Sequence, residues 1–220
     1  MLHFIDFECF KEDWLCVIIN PQRKSETVIV NNRDELKDYY EKYKDEIFVG
    51  FNIRHYDQFI FKGILLGFNP KDVNDWIIVK DRMGWQFSDL FRNVNINIFD
   101  VMVGLHGLKT LEGFMGNDIR ESGVDFNIDR KLNADEIAKT IEYCRHDVRQ
   151  TMQVFMKRKS EFDAHVGMLK AFNLPLSYIS KTKTQMSAAA LGAVKHKRDD
   201  EFDLEYPYSL KLDKYKHIKQ

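Results

Sequence analysis

Two carboxylates spaced by two sit inside an apolar run near the start of the chain, Phe4-Ile5-Asp6-Phe7-Glu8. On a strand, side chains alternate faces, so Asp6 and Glu8 point the same way, at a position suited to a core. A buried carboxylate is costly unless it is paired, hydrogen-bonded or bound to a metal. Strand ends and edges also tolerate acids, so partners must be sought elsewhere. Asp57 follows the apolar run Ile47-Phe48-Val49-Gly50-Phe51 at the start of a helical segment. Asp147 lies four residues after Tyr143, on the same side of a helix. Each also has a plain role: Asp57 as a helix N-cap, Tyr143 as a helix-face aromatic, Asp147 as a solvated acid, and Asp100 as a loop-capping acid. His3, His55, His106 and His146 share no metal-ligand spacing and read as polar or core histidines.

The elements that must position these groups are legible in outline. After the opening strand, Trp14–Ile19 and Thr27–Val30 are further apolar runs around a turn at Asn20-Pro21-Gln22-Arg23, an antiparallel start to a sheet. A polar helix runs from Asn32 to about Lys44, with acids at its N-terminal end. A short buried strand over 47–51 precedes a helix from Asp57 to Leu66, ending at Gly67, and residues 69–93 read as helical segments and loops. Asn95–Met102 is a further strand carrying an acid, and Leu108–Met115 a short helix closed by Gly116. The apolar stripe Ile137, Ile141, Cys144, Val148, Met152 and Phe155 predicts one long helix over roughly Ala134–Glu161. Strands first, then helices interleaved with single strands, indicate an α/β domain with a mixed sheet. From Ala171 the texture changes. Lys181–Arg198 holds five Lys/Arg and no acid, and the last twenty residues, with Tyr206-Pro207-Tyr208, read as extended. This divides the chain into a domain over 1–165 and a basic, extended segment over 166–220.

The formal net charge of −1 gives no global basic field, so any nucleic-acid surface must be local. Cys9, Cys16 and Cys144 form no C-x-x-C pair, which fits a reducing compartment and excludes a disulfide framework or zinc ribbon. No apolar run approaches the roughly 18 residues of a membrane span, and acids interrupt the N-terminus where a signal peptide is apolar. The expectation is a protein of the bacterial or phage-infected cytosol.

Taken in order, D-x-E at Asp6 and Glu8, F-N-x-x-x-Y-D at Phe51 to Asp57 and Y-x-x-x-D at Tyr143 to Asp147 resemble the three motifs of the DEDD nucleases, in the subtype with tyrosine in the third. The likeness covers about residues 1–160 and is greatest to the proofreading exonuclease region of bacteriophage family B DNA polymerases, including the protein-primed ones. Phe99-Asp100, Gly107-Leu108-Lys109-Thr110-Leu111-Glu112 and Asn133-Ala134-Asp135-Glu136 resemble the connecting text. Each motif is weak singly; their order makes them specific.

The resemblance implies a ribonuclease H-like fold, a mixed five-stranded sheet flanked by helices, acting as a metal-dependent 3′→5′ exonuclease that releases nucleoside 5′-monophosphates. Such hydrolysis uses two Mg²⁺ or Mn²⁺ ions about 4 Å apart, and hard oxygen ligands suit them. By the same resemblance Asp6, Glu8 and Asp147 surround one ion, while Asp6 and Asp57 hold the other. Tyr143 orients the attacking water as a hydrogen-bonder, its phenol titrating near about pH 10. Asn52 contacts the terminal nucleotide, with Phe51, Tyr56, Lys109 and Arg120 as further substrate residues, although core packing is the plain role for Phe51. The implied partners are single-stranded DNA or a frayed 3′ end and a polymerase subunit.

Two departures stand out. The protein-primed members carry a catalytic lysine before the third motif, where this chain reads Ile119-Arg120-Glu121-Ser122-Gly123, leaving Arg120 as substitute or the role unfilled. No paired-aspartate palm motif follows residue 170, which makes the chain a stand-alone exonuclease, one piece of a split polymerase or a truncated one. An RNA-trimming or repair enzyme with the same motifs, and a non-catalytic nucleic-acid-binding module, stay open, since DNA-or-RNA choice rests on contacts to the 2′ position.

Overall fold

The computed structural model describes residues 1–102, 104 and 106–193. Its frame is a five-stranded sheet of order β3-β2-β1-β4-β5, formed by β1 (Leu2–Cys9), β2 (Trp14–Asn20), β3 (Ser25–Val30), β4 (Ile47–Gly50) and β5 (Ile98–Asp100). The first three strands form an antiparallel meander, in which Asp6 faces Val17 and Glu8 faces Leu15. Lys24 and Asn31 take positive φ at the bends. Helix α1 (Arg33–Tyr43), N-capped by Asn32 with Asp34 and Glu35 in its first turn, carries the chain back across the sheet. β4 therefore enters beside β1 in parallel, and β5 lies parallel beside β4. The sheet is mixed, with β1 at its centre, and is compatible with a ribonuclease H-like fold.

The period-two alternation of β1 splits the core in two. Ile5, Phe7 and Cys9 pack with α2 (Asp57–Leu66) and Val73 of α3 (Pro70–Ile77) on one face. Phe4, Leu15, Val17 and Val49 pack with Cys144, Val148 and Phe155 on the other. That second cover is α5 (Ala134–Lys157), whose start is set by a reciprocal capping box between Asn133 and Glu136. α4 (Leu108–Met115) lies against α5 and ends at Gly116, whose φ of 72° needs no Cβ penalty.

Three expectations are revised. The strand over 95–102 shortens to Ile98–Asp100, because β4 offers only four residues for pairing and the Ile98 N–H donates to the Ser180 hydroxyl. The long helix over 134–161 is two helices, α5 and α6 (Lys159–Ala171), broken at Arg158. The Arg158 guanidinium donates to the carbonyls of Val101 and Met102, tying the break to the end of β5. The boundary at 165/166 falls inside α6, and Leu169, Ile179 and Met186 complete the second core cluster. A capped helix, α7 (Lys183–Ala190), follows. The extended segment around Tyr206 lies outside the described residues. No helix among them is long and apolar enough to cross a membrane.

Candidate metal centre

Asp6 and Glu8 project from the central strand onto the face covered by α5. Cys144 and Asp147, three apart on that helix, come down onto them. The Cys144 thiol lies 3.6 Å from Asp6 Oδ2 and 3.4 Å from the Asp6 carbonyl. Asp57 arrives from the side, as the first residue of α2 just beyond β4. Glu8 and Asp147 are 8% exposed and Asp57 3%, while Asp6 keeps some access to solvent. Four acids from three chain segments thus converge where little water can screen them.

Their titration reflects this crowding. Burial, then the charges of Asp57, Glu8 and Asp147, pushes Asp6 well above the usual carboxylate range. Burial followed by Asp147 and Asp57 does the same to Glu8, with Lys109 opposing. Burial raises Asp57 to about 7. Like charges in a low-dielectric site cannot all ionise together. Either they hold protons or a cation joins them.

The N-cap role for Asp57 is not what the structure uses. The cap position belongs to Tyr56, no side chain caps α2, and Asp57 Oδ1 is buried without a hydrogen-bond partner. An orphaned carboxylate oxygen beside three other acids fits a hard cation. Asp6, Glu8 and Cys144 hold potential ligand atoms within 4.8 Å of one another. Cys144 is the poor ligand of these: burial, then Asp6 and Glu8, pushes its thiol well above the ordinary range. It stays protonated and donates to Asp6. The acidic cluster can therefore bind a metal ion through oxygen.

Tyr143 is half-buried at the rim. Burial, then Asp147 and Glu8, raises its phenol above the ordinary tyrosine range, so it stays protonated. Lys109 on α4 places its ammonium 2.6 Å from Asp147 Oδ1, 3.4 Å from Glu112 Oε1 and 4.8 Å from the Tyr143 ring centroid. Arg120 lines a cleft with Tyr143, Lys139 and Glu142.

The loop of the second motif is shaped by Asp100 in the loop-capping role expected of it: its carboxylate accepts from the backbone N–H groups of Asn52, Arg54 and Met102 at 2.9–3.0 Å. Asn52 takes φ 57°, a left-handed turn that asparagine tolerates. Phe51 is half-buried against the second core cluster. Tyr56 packs against the first, and its hydroxyl donates to Asn74 at 2.7 Å. Core contacts thus occupy both aromatics. A second cleft opens at the carboxyl ends of β4 and β5, lined by Arg54, His55, Asp100, Arg158, Lys181 and Lys183.

Three residues the spacing did not single out belong to this neighbourhood: Cys144, Glu112 and His146. Cys144 read as one more residue of an apolar stripe, and the other two meet only because α4 packs on α5. Compared with protein-family models, with curated proteins and with solved structures, the chain matches none.

Proposed function

We propose that the protein is a metal-dependent 3′→5′ exonuclease acting on DNA. The observation that carries this reading is the convergence of Asp6, Glu8, Asp57 and Asp147 beside Tyr143, four mutually repelling acids with one buried oxygen left unpaired. Asp6, Glu8 and Asp147 would hold one Mg²⁺ or Mn²⁺ ion, and Asp6 with Asp57 the other. When bound, such ions activate water and neutralise charge on the phosphodiester.

The chain's own residues do the positioning. The Cys144 thiol fixes the Asp6 carboxylate. Tyr143, kept protonated, orients the attacking water through its hydroxyl. Lys109 steadies Asp147 and brings a positive charge to the rim where a phosphate arrives. Asn52, on its left-handed turn, reaches the terminal nucleotide, and Arg120 meets the substrate beside Tyr143. The cleft with Arg54 and Lys181 lies at the carboxyl ends of parallel strands, where ligands of open α/β sheets bind, and its cations suit a phosphate backbone. Arg158 and Lys183 are less available there, since both pair with Glu161.

The test uses 5′-labelled single-stranded DNA and RNA of one sequence, with Mg²⁺ or Mn²⁺ and with EDTA. A ladder shortening from the 3′ end of DNA, absent in EDTA, is expected. No metal-dependent shortening of either strand overturns the proposal, and faster shortening of RNA moves it to an RNA-trimming enzyme. Tyr143→Phe is expected to slow cleavage roughly 10- to 100-fold, the scale of lost positioning, with metal affinity unchanged by calorimetry. Loss of metal as severe as in Asp147→Ala would make Tyr143 a structural support instead.

A further inference from the structure

Beside Asp147 a second cluster of possible ligands contains nitrogen. Glu112 of α4 is fully buried, at 0% exposure. Its Oε1 accepts from Lys109 at 3.4 Å, while its Oε2 is buried without any hydrogen-bond partner. Facing that oxygen at 3.7 Å is the Nε2 of His146, equally buried and equally without a hydrogen bond. Potential ligand atoms of Glu112, His146 and Asp147 all lie within 4.8 Å of one another.

Two buried polar atoms that face each other would normally close to roughly 2.7–3.2 Å and share a proton. These stop short of it. Donors about 2.0–2.2 Å from one ion stand roughly 3–3.5 Å apart, and a separation of 3.7 Å is close to that. The gap has the size of an ion rather than of a hydrogen bond. A cation already stands at its edge: the Lys109 ammonium lies against Asp147 and Glu112, on a side chain 29% exposed that can swing outward.

We infer that Glu112, His146 and Asp147 form a binding site for a divalent transition ion, which enters as Lys109 withdraws its ammonium. The donor set is one imidazole and two carboxylates. Imidazole suits Fe²⁺ or Zn²⁺, the two carboxylates admit Mn²⁺ as well, and Mg²⁺ keeps to oxygen. The site thus differs in kind from the oxygen cluster at Asp6, Glu8 and Asp57, which Mg²⁺ can serve. It shares Asp147 with the proposed hydrolytic centre but does not depend on hydrolysis: a protein that cuts nothing would still bind the ion. Where both sites are filled, Asp147 links them, and α4 is clamped to α5 by metal in place of the lysine.

The full chain, stripped with EDTA and desalted, is titrated with Mn²⁺ and followed by electron paramagnetic resonance, with pulsed detection of nitrogen coupled to the bound ion. The background is Asp6→Asn, which weakens the oxygen cluster and keeps the readout free of activity. Nitrogen coupling from bound Mn²⁺ is expected, lost in Asp6→Asn/His146→Asn. Glu112→Gln, which keeps the side chain's shape, is expected to weaken binding at least roughly tenfold, and Lys109→Met to tighten it several-fold by removing the competing cation. Circular dichroism and thermal melts establish that each variant folds. Absence of nitrogen coupling at saturating Mn²⁺ overturns the site, as does coupling that persists without His146. Weaker binding in Lys109→Met overturns the exchange. Failure here with an intact DNA ladder in the wild type would leave the hydrolytic reading standing, and the converse result would leave this one.

Discussion

Asp6→Asn is expected to reduce metal-dependent shortening of DNA by roughly 10³- to 10⁵-fold, the equivalent of several kcal/mol of transition-state stabilisation at about 1.4 kcal/mol per tenfold. Asp6 is the residue both ions would share, so its loss disturbs both. Burial and the charges of Asp57, Glu8 and Asp147 already favour its protonated form in the metal-free protein. The neutral amide imitates that form, and Cys144 can still donate to the remaining oxygen. The variant should therefore fold as well as the wild type and fail only in chemistry. The measurement is single-turnover cleavage beside a thermal melt. Cleavage within tenfold of wild type would remove Asp6 from the proposed centre, whatever became of the fold.

Asp57→Asn is expected to stabilise the metal-free protein at pH 8 while it disables cleavage. A carboxyl whose pKa rises from 3.8 in the unfolded chain to about 7 in the folded one binds its proton more tightly when folded. The stability it contributes is complete below about pH 4 and is lost as pH rises through about 7. For Asp57 that loss is about 4 kcal/mol at most, and Asp6 and Glu8 shift in the same direction. Glu46 and Glu136, whose pKa values are lowered, act only below about pH 4.5, while His3, lowered by burial, opposes the trend between pH 5.5 and 8. Comparison of wild type with Asp57→Asn isolates the one group. In EDTA the wild type should melt lower at pH 8 than at pH 5.5, and the variant should recover up to roughly 8–16 °C at pH 8, at about 2–4 °C per kcal/mol for a chain of this size. Mg²⁺ or Mn²⁺ should raise the wild-type melt more at pH 8 than at pH 5.5, because the ion needs the ionised acids. An amide variant that melts below wild type at pH 8 in EDTA would mean that Asp57 is an anchor of α2 rather than a strained ligand.

The sheet and the four acids were legible because their signals are local. Alternation in β1 put Asp6 and Glu8 on one face, the helix over 108–115 ended at its glycine, and the apolar stripe from Ile137 to Phe155 placed α5. What escaped depends on neighbours distant in the chain. The length of β5 follows from how many residues β4 offers, which β5's own residues do not record. Asp57 sits one position inside its helix instead of at the cap, and such a shift lies below what residue types resolve. Cys144 and Val148 look alike to a periodicity. Only the chain fold brings the thiol against Asp6 and leaves Val148 purely apolar. His146 lacked a partner at metal-ligand spacing because Glu112, its neighbour, is on another helix.

The Cys144–Asp6 contact joins residues 138 positions apart. Loops of that length close late, since their entropy must be met before the contact returns anything. During synthesis at about 5–20 residues per second, β1 leaves the ribosome roughly 7–28 s before the α5 residues that complete its acid cluster. Until α5 docks, β1 carries Asp6 and Glu8 without Asp147 or the Cys144 thiol, so the acid cluster is assembled only after α5 has been made. The acid cluster is thus the product of a long-range closure, made in the same step that covers this face of the sheet.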